Sequence, residues 1–289
     1  MFKEIAIEPA AVASSSLGFK YIVEKFGISE GRLIAAFPSK WKRQVFEAAK
    51  EQLKGTTDLS RLELRLRKLS DESFFRRGRP GDGCSENWLT AAIAEHARVP
   101  FDAIIAVAPS ESPIVVAVGE VDDEHYCLQP NRQWHIDRDA ASMASCCEYL
   151  LSNSHHIKLV DPHFDLNKAR YRRPFAEFLK HVKPGATIDV FRGDDYGVPF
   201  AIHHLEAVLD AIKPPGILVR MFFQPQGAMH NRFVLTNAGG LYFLTGLDDK
   251  DHGDCVTDEV GLLEHAVWQV QWNRYTEIEP KAVWPSYRV

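Results

Sequence analysis

The pattern of apolar positions in the C-terminal half of the chain predicts a parallel sheet. Short apolar runs typical of buried strands alternate there with segments whose apolar residues recur at helical spacing. Strand, helix, strand, helix, strand is the order of parallel strands joined by right-handed crossovers. A further strand, Asn231–Leu235, should follow, with His230 at its entrance. The five segments are, in chain order, 156–166, 174–182, 187–192, 201–212 and 217–224.

The N-terminal half shows a less regular mixture of helical periodicity and β-rich runs. This mixture predicts an α/β or α+β domain. We place the domain boundary near residue 140, where a polar stretch gives way to a predicted helix, and so expect domains at 1–140 and 141–289. The overall fold class is α/β.

Composition favours an ordinary globular protein. The chain has 289 residues, of which 45% are apolar and 25% charged, and this balance is typical of soluble domains. Its longest apolar runs are too short to span a bilayer and its start lacks a signal-peptide pattern, so we expect a cytoplasmic location. Five cysteines without a C-x-x-C pair indicate neither a disulfide framework nor a zinc ribbon.

The net charge of −5 gives no general attraction to nucleic acid, so a site for polyanions must be a local patch. One candidate is the loop that carries Arg76, Arg77 and Arg79 among glycines and a proline. Guanidinium groups are suited to phosphate, which makes these arginines candidate binding residues. The alternative is a solvated basic face without a ligand.

His230 and Arg232 are the strongest candidates for chemistry. On an extended backbone, residues two apart point to the same face. The imidazole and the guanidinium should therefore converge on one phosphate-sized target.

This region resembles one half of a phospholipase D superfamily domain over residues 154–275. The family motif is His-x-Lys, a later Asp, a Gly-rich strand end with Asn, and then Glu. The run of His-x-Arg, Asn-x-Gly-Gly and Gly-Leu-Asp looks most like the phospholipase D-like domain that follows the MIT domain in trafficking proteins, which is regarded as a binder of membrane lipids. The matching positions here are His230, Arg232, Asn237, the turn at 246–249 and Glu259.

The resemblance implies a mechanism in which one histidine attacks phosphorus and a second protonates the leaving oxygen, without a metal or other cofactor. Arg232, Asn237 and the aspartates Asp248 and Asp249 depart from the family pattern. These departures favour binding of nucleic acid or anionic phospholipid with weak or no catalysis. One alternative is a phosphodiesterase that pairs His230 with its copy in a homodimer, and another is a non-catalytic scaffold. The N-terminal half is then a candidate for a diverged first copy.

The resemblance also implies a particular arrangement of the motif residues. His230, Arg232 and Glu259 should converge in one cleft, with Asn237 or an aspartate of the 246–249 turn in hydrogen-bond reach. Two cationic side chains on one strand face repel each other, so a carboxylate must balance them. The acidic stretch at 248–259 could in principle hold Mg²⁺ or Ca²⁺, but it lacks EF-hand spacing and is interpreted as a solvated loop.

Overall fold

The computed structural model describes residues 1–76, 78–79, 87–122, 124–129, 131–194, 197–225, 227–250 and 256–286. The chain divides into two compact units between Asn131 and Arg132, with Met1 counted in the second unit. The division precedes the expected boundary near residue 140. The reason is that residues 133–137 form a strand of the second unit's sheet.

The first unit is built on a five-stranded sheet that is parallel throughout, in the order β3-β2-β1-β4-β5. Its central strands are buried on both faces, as expected when helices cover both sides of a parallel sheet. The strands are β1 (Lys3–Ile7), β2 (Arg32–Ala35), β3 (Phe74–Phe75), β4 (Ala103–Ala106) and β5 (Val115–Ala117). The helices are α1 (Ser16–Val23), α2 (Trp41–Gln52), α3 (Thr57–Lys68) and α4 (Trp88–Arg98).

The second unit contains an eight-stranded mixed sheet in the order β13-β9-β8-β7-β10-β11-β12-β6. Its strands are β6 (Gln133–Asp137), β7 (His156–Val160), β8 (Thr187–Gly193), β9 (Leu218–Gln224), β10 (Phe233–Thr236), β11 (Gly240–Phe243), β12 (Thr257–Leu262) and β13 (Ala282–Trp284). Its helices are α5 (Ala140–Ser152), α6 (Ala169–His181), α7 (Val198–Ile202), α8 (Leu205–Ile212) and α9 (His265–Glu277).

The predicted α/β arrangement of this unit is confirmed. Strands β7, β8 and β9 are mutually parallel, with α6 crossing between the first two and α7 and α8 between the last two. The second crossover was predicted as one helix over 201–212, but it is broken between α7 and α8. The break is at His204, whose backbone has a left-handed φ of 62° that an α-helix cannot continue.

The two sheets differ in topology. The first is entirely parallel, whereas β10, β11, β12 and β6 of the second are antiparallel to their neighbours. This difference gives no support to the idea that the N-terminal half is a diverged copy of the C-terminal half. No helix in the described part of the chain is long and apolar enough to cross a membrane.

Candidate functional site

A cleft of about 320 Å³ lies at the carboxyl ends of β7, β8 and β9 in the second unit. Open α/β sheets bind ligands in the crevice outside the carboxyl ends of their parallel strands. The antiparallel strand β10 pairs with β7 so that Phe233 lies opposite Val160, which brings the entrance of β10 to the same edge. The side chains that line the cleft include His163, Met229, His230 and Arg232.

His230 and Arg232 both line this cleft, as the sequence predicts. His230 is exposed and lies in the loop before β10, not in a helix. Its imidazole makes no hydrogen bond with any described residue. The Nη1 of Arg232 donates to the backbone oxygen of His230 over 3.1 Å. The Nε of Arg232 is buried and has no hydrogen-bond partner among the described residues.

The carboxylate that interacts electrostatically with Arg232 belongs to Asp161, which directly follows β7. It accepts hydrogen bonds from the backbone N–H groups of His163 and Leu247, each over 2.8 Å. Burial raises the pKa of Asp161, while these hydrogen bonds and the Arg232 guanidinium act in the opposite direction. Asp161 is therefore held by backbone donors beside the cleft, with Arg232 as a nearby positive charge.

His163 is a second exposed histidine in the cleft, and the sequence analysis did not select it. The predicted strand, 156–166, included His163, so its place after the strand was missed. Asp161, Pro162 and His163 directly follow a buried parallel strand, and polar residues at that position point toward the ligand edge of an α/β sheet.

Glu259 does not join this cleft, which corrects the expectation from the family motif. Its carboxylate lies 2.6 Å from the Nδ1 of His135, the residue directly opposite on β6. Side chains directly opposite each other on antiparallel strands share a face. In the strand register, Arg232 lies opposite Phe243, and Phe243 lies opposite Val260, so these three side chains share one face. Glu259 is next to Val260 along the strand and therefore points to the other face of the sheet.

Asn237 is also outside the cleft. Its side-chain oxygen accepts hydrogen bonds from the backbone N–H groups of His155 and His156, over 3.1 and 3.2 Å. These contacts fix the turn after β10, whereas Arg232 precedes that strand. Five residues of extended chain separate the two backbones by about 16 Å. Asn237 thus has a structural role at the opposite edge of the sheet.

Asp248 and Asp249 are buried ion-pair partners and do not face a ligand. Asp249 forms a bidentate pair with Arg173, with both distances at 2.5 Å. Asp248 lies 2.7 Å from Arg138 and 3.4 Å from Arg170. Their negative charges are therefore largely compensated by arginines inside the protein. Among the described residues, no group of three or more side chains is arranged to hold a metal ion.

The arginines of the predicted basic loop have different environments. Arg79 is buried, contacts Glu4 over 2.7 Å and Glu95 over 3.0 Å, and packs over the Phe101 ring at 3.9 Å. It is a structural residue, so its assignment to ligand binding is wrong. Arg76 is exposed and lies 3.6 Å from Asp71. Arg77 lies outside the described residues.

A second polar cluster lies under α9, at the beginning of the parallel strands. Asp189 binds both His156 and Arg220, over distances of 2.7 to 2.8 Å. Burial alone would raise the pKa of Asp189, but these contacts leave it lowered. Lys158 contacts the Trp272 carbonyl and the Thr276 hydroxyl, and burial lowers its pKa to about 8. The His-x-Lys pattern at 156–158 is thus part of the packing beneath α9.

Comparisons with known proteins find no matching family model and no matching curated protein. Among solved structures, one similar chain is TrmBL2, an archaeal chromatin protein, at 9% identity and a TM-score of 0.30, covering 83% of this chain and 68% of that one. Another is the polyphosphate kinase of Porphyromonas gingivalis, at 12% identity and a TM-score of 0.33. That match covers 52% of this chain but 27% of the kinase. Similarities this low do not identify a function.

Proposed function

We propose that the C-terminal unit is a phospholipase D-like domain that binds a phosphate-bearing ligand, a nucleic acid or an anionic phospholipid, with weak or no catalysis. The observation that carries the proposal is the position of Arg232. Its guanidinium lines a cleft at the ligand edge of the sheet, and its buried Nε has no partner among the described residues. A buried donor without an acceptor is costly, and a phosphate oxygen would satisfy it.

The surroundings of Arg232 suit the recognition of phosphate. A guanidinium presents a planar set of donors that matches two oxygens of one phosphate. The hydrogen bond to the His230 carbonyl orients it before a ligand arrives, and Asp161 is close enough to interact with it electrostatically. Preorganisation of this kind reduces the entropy lost on binding.

The case for weak catalysis rests on the surroundings of His230. An efficient nucleophilic imidazole is oriented by a hydrogen bond to its second nitrogen. Among the described residues, no carboxylate makes that bond, and Glu259 projects from the other face of the sheet and binds His135. His230 is therefore suited to contact a ligand more than to attack it.

A second candidate is a metal-independent phosphodiesterase, favoured by the presence of His163 and His230 in one cleft. The Nε2 or Nδ1 of His230 would form a bond to phosphorus as the ester P–O bond breaks. His163 would give its proton to the leaving oxygen, and water would then hydrolyse the phosphohistidine. This arrangement supplies both histidines within one chain, whereas the homodimer alternative takes the second histidine from another copy.

The binding test compares wild type with Arg232→Gln and His230→Ala. The ligands are a fluorescent single-stranded DNA oligonucleotide and vesicles containing phosphatidylserine, which distinguish the two ligand sources. Lys183→Gln is the control, because Lys183 is an exposed lysine just before β8, at the opposite edge of the sheet. Loss of affinity in the cleft variants alone supports the proposal. If wild type binds neither ligand, the binding proposal is wrong and the non-catalytic scaffold is favoured.

Turnover separates the two candidates. Hydrolysis of bis(p-nitrophenyl) phosphate is measured with and without EDTA for wild type, His230→Ala and His163→Ala. Negligible hydrolysis by wild type agrees with a binding domain. Turnover that resists EDTA and is lost in both variants would instead establish the phosphodiesterase.

A further inference from the structure

The first unit has a cavity of its own, of about 390 Å³, which the proposed function does not involve. It is bordered by residues that follow β2, by the first turn of α2 and by residues around β3. The cavity therefore lies outside the carboxyl ends of two parallel strands, where α/β sheets bind small ligands. Its volume falls within the range of about 300–1,000 Å³ that is common for ligand pockets.

The floor of this cavity is aromatic. Trp41 and Phe74 both line it and meet edge to face, with ring centroids 5.6 Å apart. Trp41 is fixed by a hydrogen bond from its indole nitrogen to the carbonyl oxygen of Ile7 at 2.6 Å, so the floor is rigid. A rigid aromatic floor favours a flat apolar group as the occupant.

The rim of the cavity is strongly basic. Five cationic side chains line it against one carboxylate, that of Asp71. Arg79 is paired with Glu4 and Glu95, and Arg43 with Glu47, which do not line the cavity. The five cations are Lys40, Lys42, Arg43, Arg76 and Arg79.

Asp71 compensates only part of this charge. It lies 2.9 Å from Lys42 and 3.6 Å from Arg76, and the hydrogen bond from Lys42 is the main reason why its pKa is lowered. The ammonium of Lys40 is exposed and has no partner among the described residues. The side chain of Arg76 is 60% exposed. These two side chains can turn toward a ligand without breaking a buried contact.

This concentration of positive charge is unexpected in a chain whose net charge is −5. Like charges around one cavity repel each other, and a bound anion relieves that repulsion. A compact ligand with a flat apolar part and a negatively charged part satisfies both the floor and the rim.

We propose that this cavity binds a nucleoside phosphate. The base lies in the cavity against Trp41 and Phe74, and the phosphates reach Lys40 and Arg76 at the rim. The site is independent of the proposed function, because His230 and Arg232 belong to the other unit.

The test measures ADP binding by isothermal titration calorimetry. All proteins carry Arg232→Gln, so that the cleft of the second unit contributes little to the signal. In this background, ADP should bind with one-to-one stoichiometry. Adding Lys40→Gln and Arg76→Gln together should weaken binding about a hundredfold, roughly tenfold for each lost charge. Lys54→Gln, which changes an exposed lysine away from the cavity in the same unit, should leave the affinity unchanged.

Two fragments of ADP test the class of ligand. Adenosine lacks the charges that reach the rim, and pyrophosphate lacks the base that covers the floor, so each should bind at least tenfold more weakly than ADP. The proposal is overturned if ADP fails to bind at millimolar concentration, if pyrophosphate binds as tightly as ADP, or if the double variant binds like its parent. None of these outcomes bears on phosphate binding at Arg232, which is measured separately.

Discussion

Arg76 and Arg79 lie three residues apart in one basic loop, but their environments differ. Arg79 is enclosed by Glu4, Glu95 and the ring of Phe101. Arg76 is exposed beside Asp71. The pattern of basic residues along the chain cannot distinguish the two, because burial of Arg79 depends on carboxylates that are distant in sequence.

The two arginines should differ in their contribution to stability. Arg79→Gln removes the guanidinium that contacts the buried carboxylates of Glu4 and Glu95, the second of which also pairs with Arg98, and should lower the free energy of unfolding by about 3 kcal/mol. Arg76→Gln changes an exposed pair and should alter it by less than about 1 kcal/mol. Urea denaturation of both variants measures the difference. Equal effects would mean that Arg79 is not held as described.

Lys158 should make stability depend on pH in the alkaline range. Its pKa is about 8 in the folded protein against an ordinary value of 10.5. Between these values the unfolded chain binds a proton that the folded protein does not, so the free energy of unfolding rises with pH. Lys158→Met removes this contribution.

We therefore expect wild type to gain stability relative to Lys158→Met between pH 8 and pH 10.5, by up to about 3 kcal/mol. Urea denaturation of both proteins across that range gives the difference, in which other titrating groups cancel. A difference that does not change with pH would show that the amine keeps its ordinary pKa.

Among the secondary-structure elements, the order and register of the strands determine which side chains lie close together. Strand β12 is separated from β10 by β11, and its alternation places Asp258 and Glu259 on opposite faces. The sequence motif groups Glu259 with His230 only from their spacing along the chain. It contains no information on the register of two intervening strand pairs.

Glu259→Gln should therefore leave phosphate binding unchanged. The variant loses an exposed contact with His135, on the face opposite Arg232. Titration with the DNA oligonucleotide or the anionic vesicles, whichever wild type binds, checks this expectation. An affinity loss as large as that of Arg232→Gln would mean that Glu259 reaches the cleft and would restore the family's catalytic geometry.

Periodicity predicted the parallel part of the second sheet because each crossover is local and each strand is a short apolar run. It could not predict that β6 joins β12, since that pair is more than a hundred residues apart in the chain. The break between α7 and α8 was missed for a different reason. The left-handed conformation of His204 has no signal in an apolar helical pattern.

The candidate site was predicted in part for similar reasons. His230 and Arg232 are two residues apart on one segment, so local geometry was sufficient to place them together. Asp161 and His163 follow another strand, β7, and only the pairing of β7 with β10 brings them to the same edge.

For the whole molecule, the net charge does not describe the charge at the two clefts. The chain has a net charge of −5, yet the clefts at the carboxyl edges of the two units carry exposed or half-buried cations. Most of the chain's carboxylates must then lie elsewhere. Binding of a polyanion should accordingly involve few phosphates, with a shallow dependence on salt.

The most direct test is the affinity of Arg232→Gln for inorganic phosphate, measured by isothermal titration calorimetry beside its parent and Lys183→Gln. All three proteins carry Lys40→Gln and Arg76→Gln, so that the cavity of the first unit contributes little to the signal. We expect the parent and Lys183→Gln to bind phosphate equally and Arg232→Gln to bind it at least tenfold more weakly, because the neutral amide replaces a preorganised charged donor. Equal affinity in all three proteins would show that Arg232 does not bind phosphate and would place any phosphate site elsewhere in the chain.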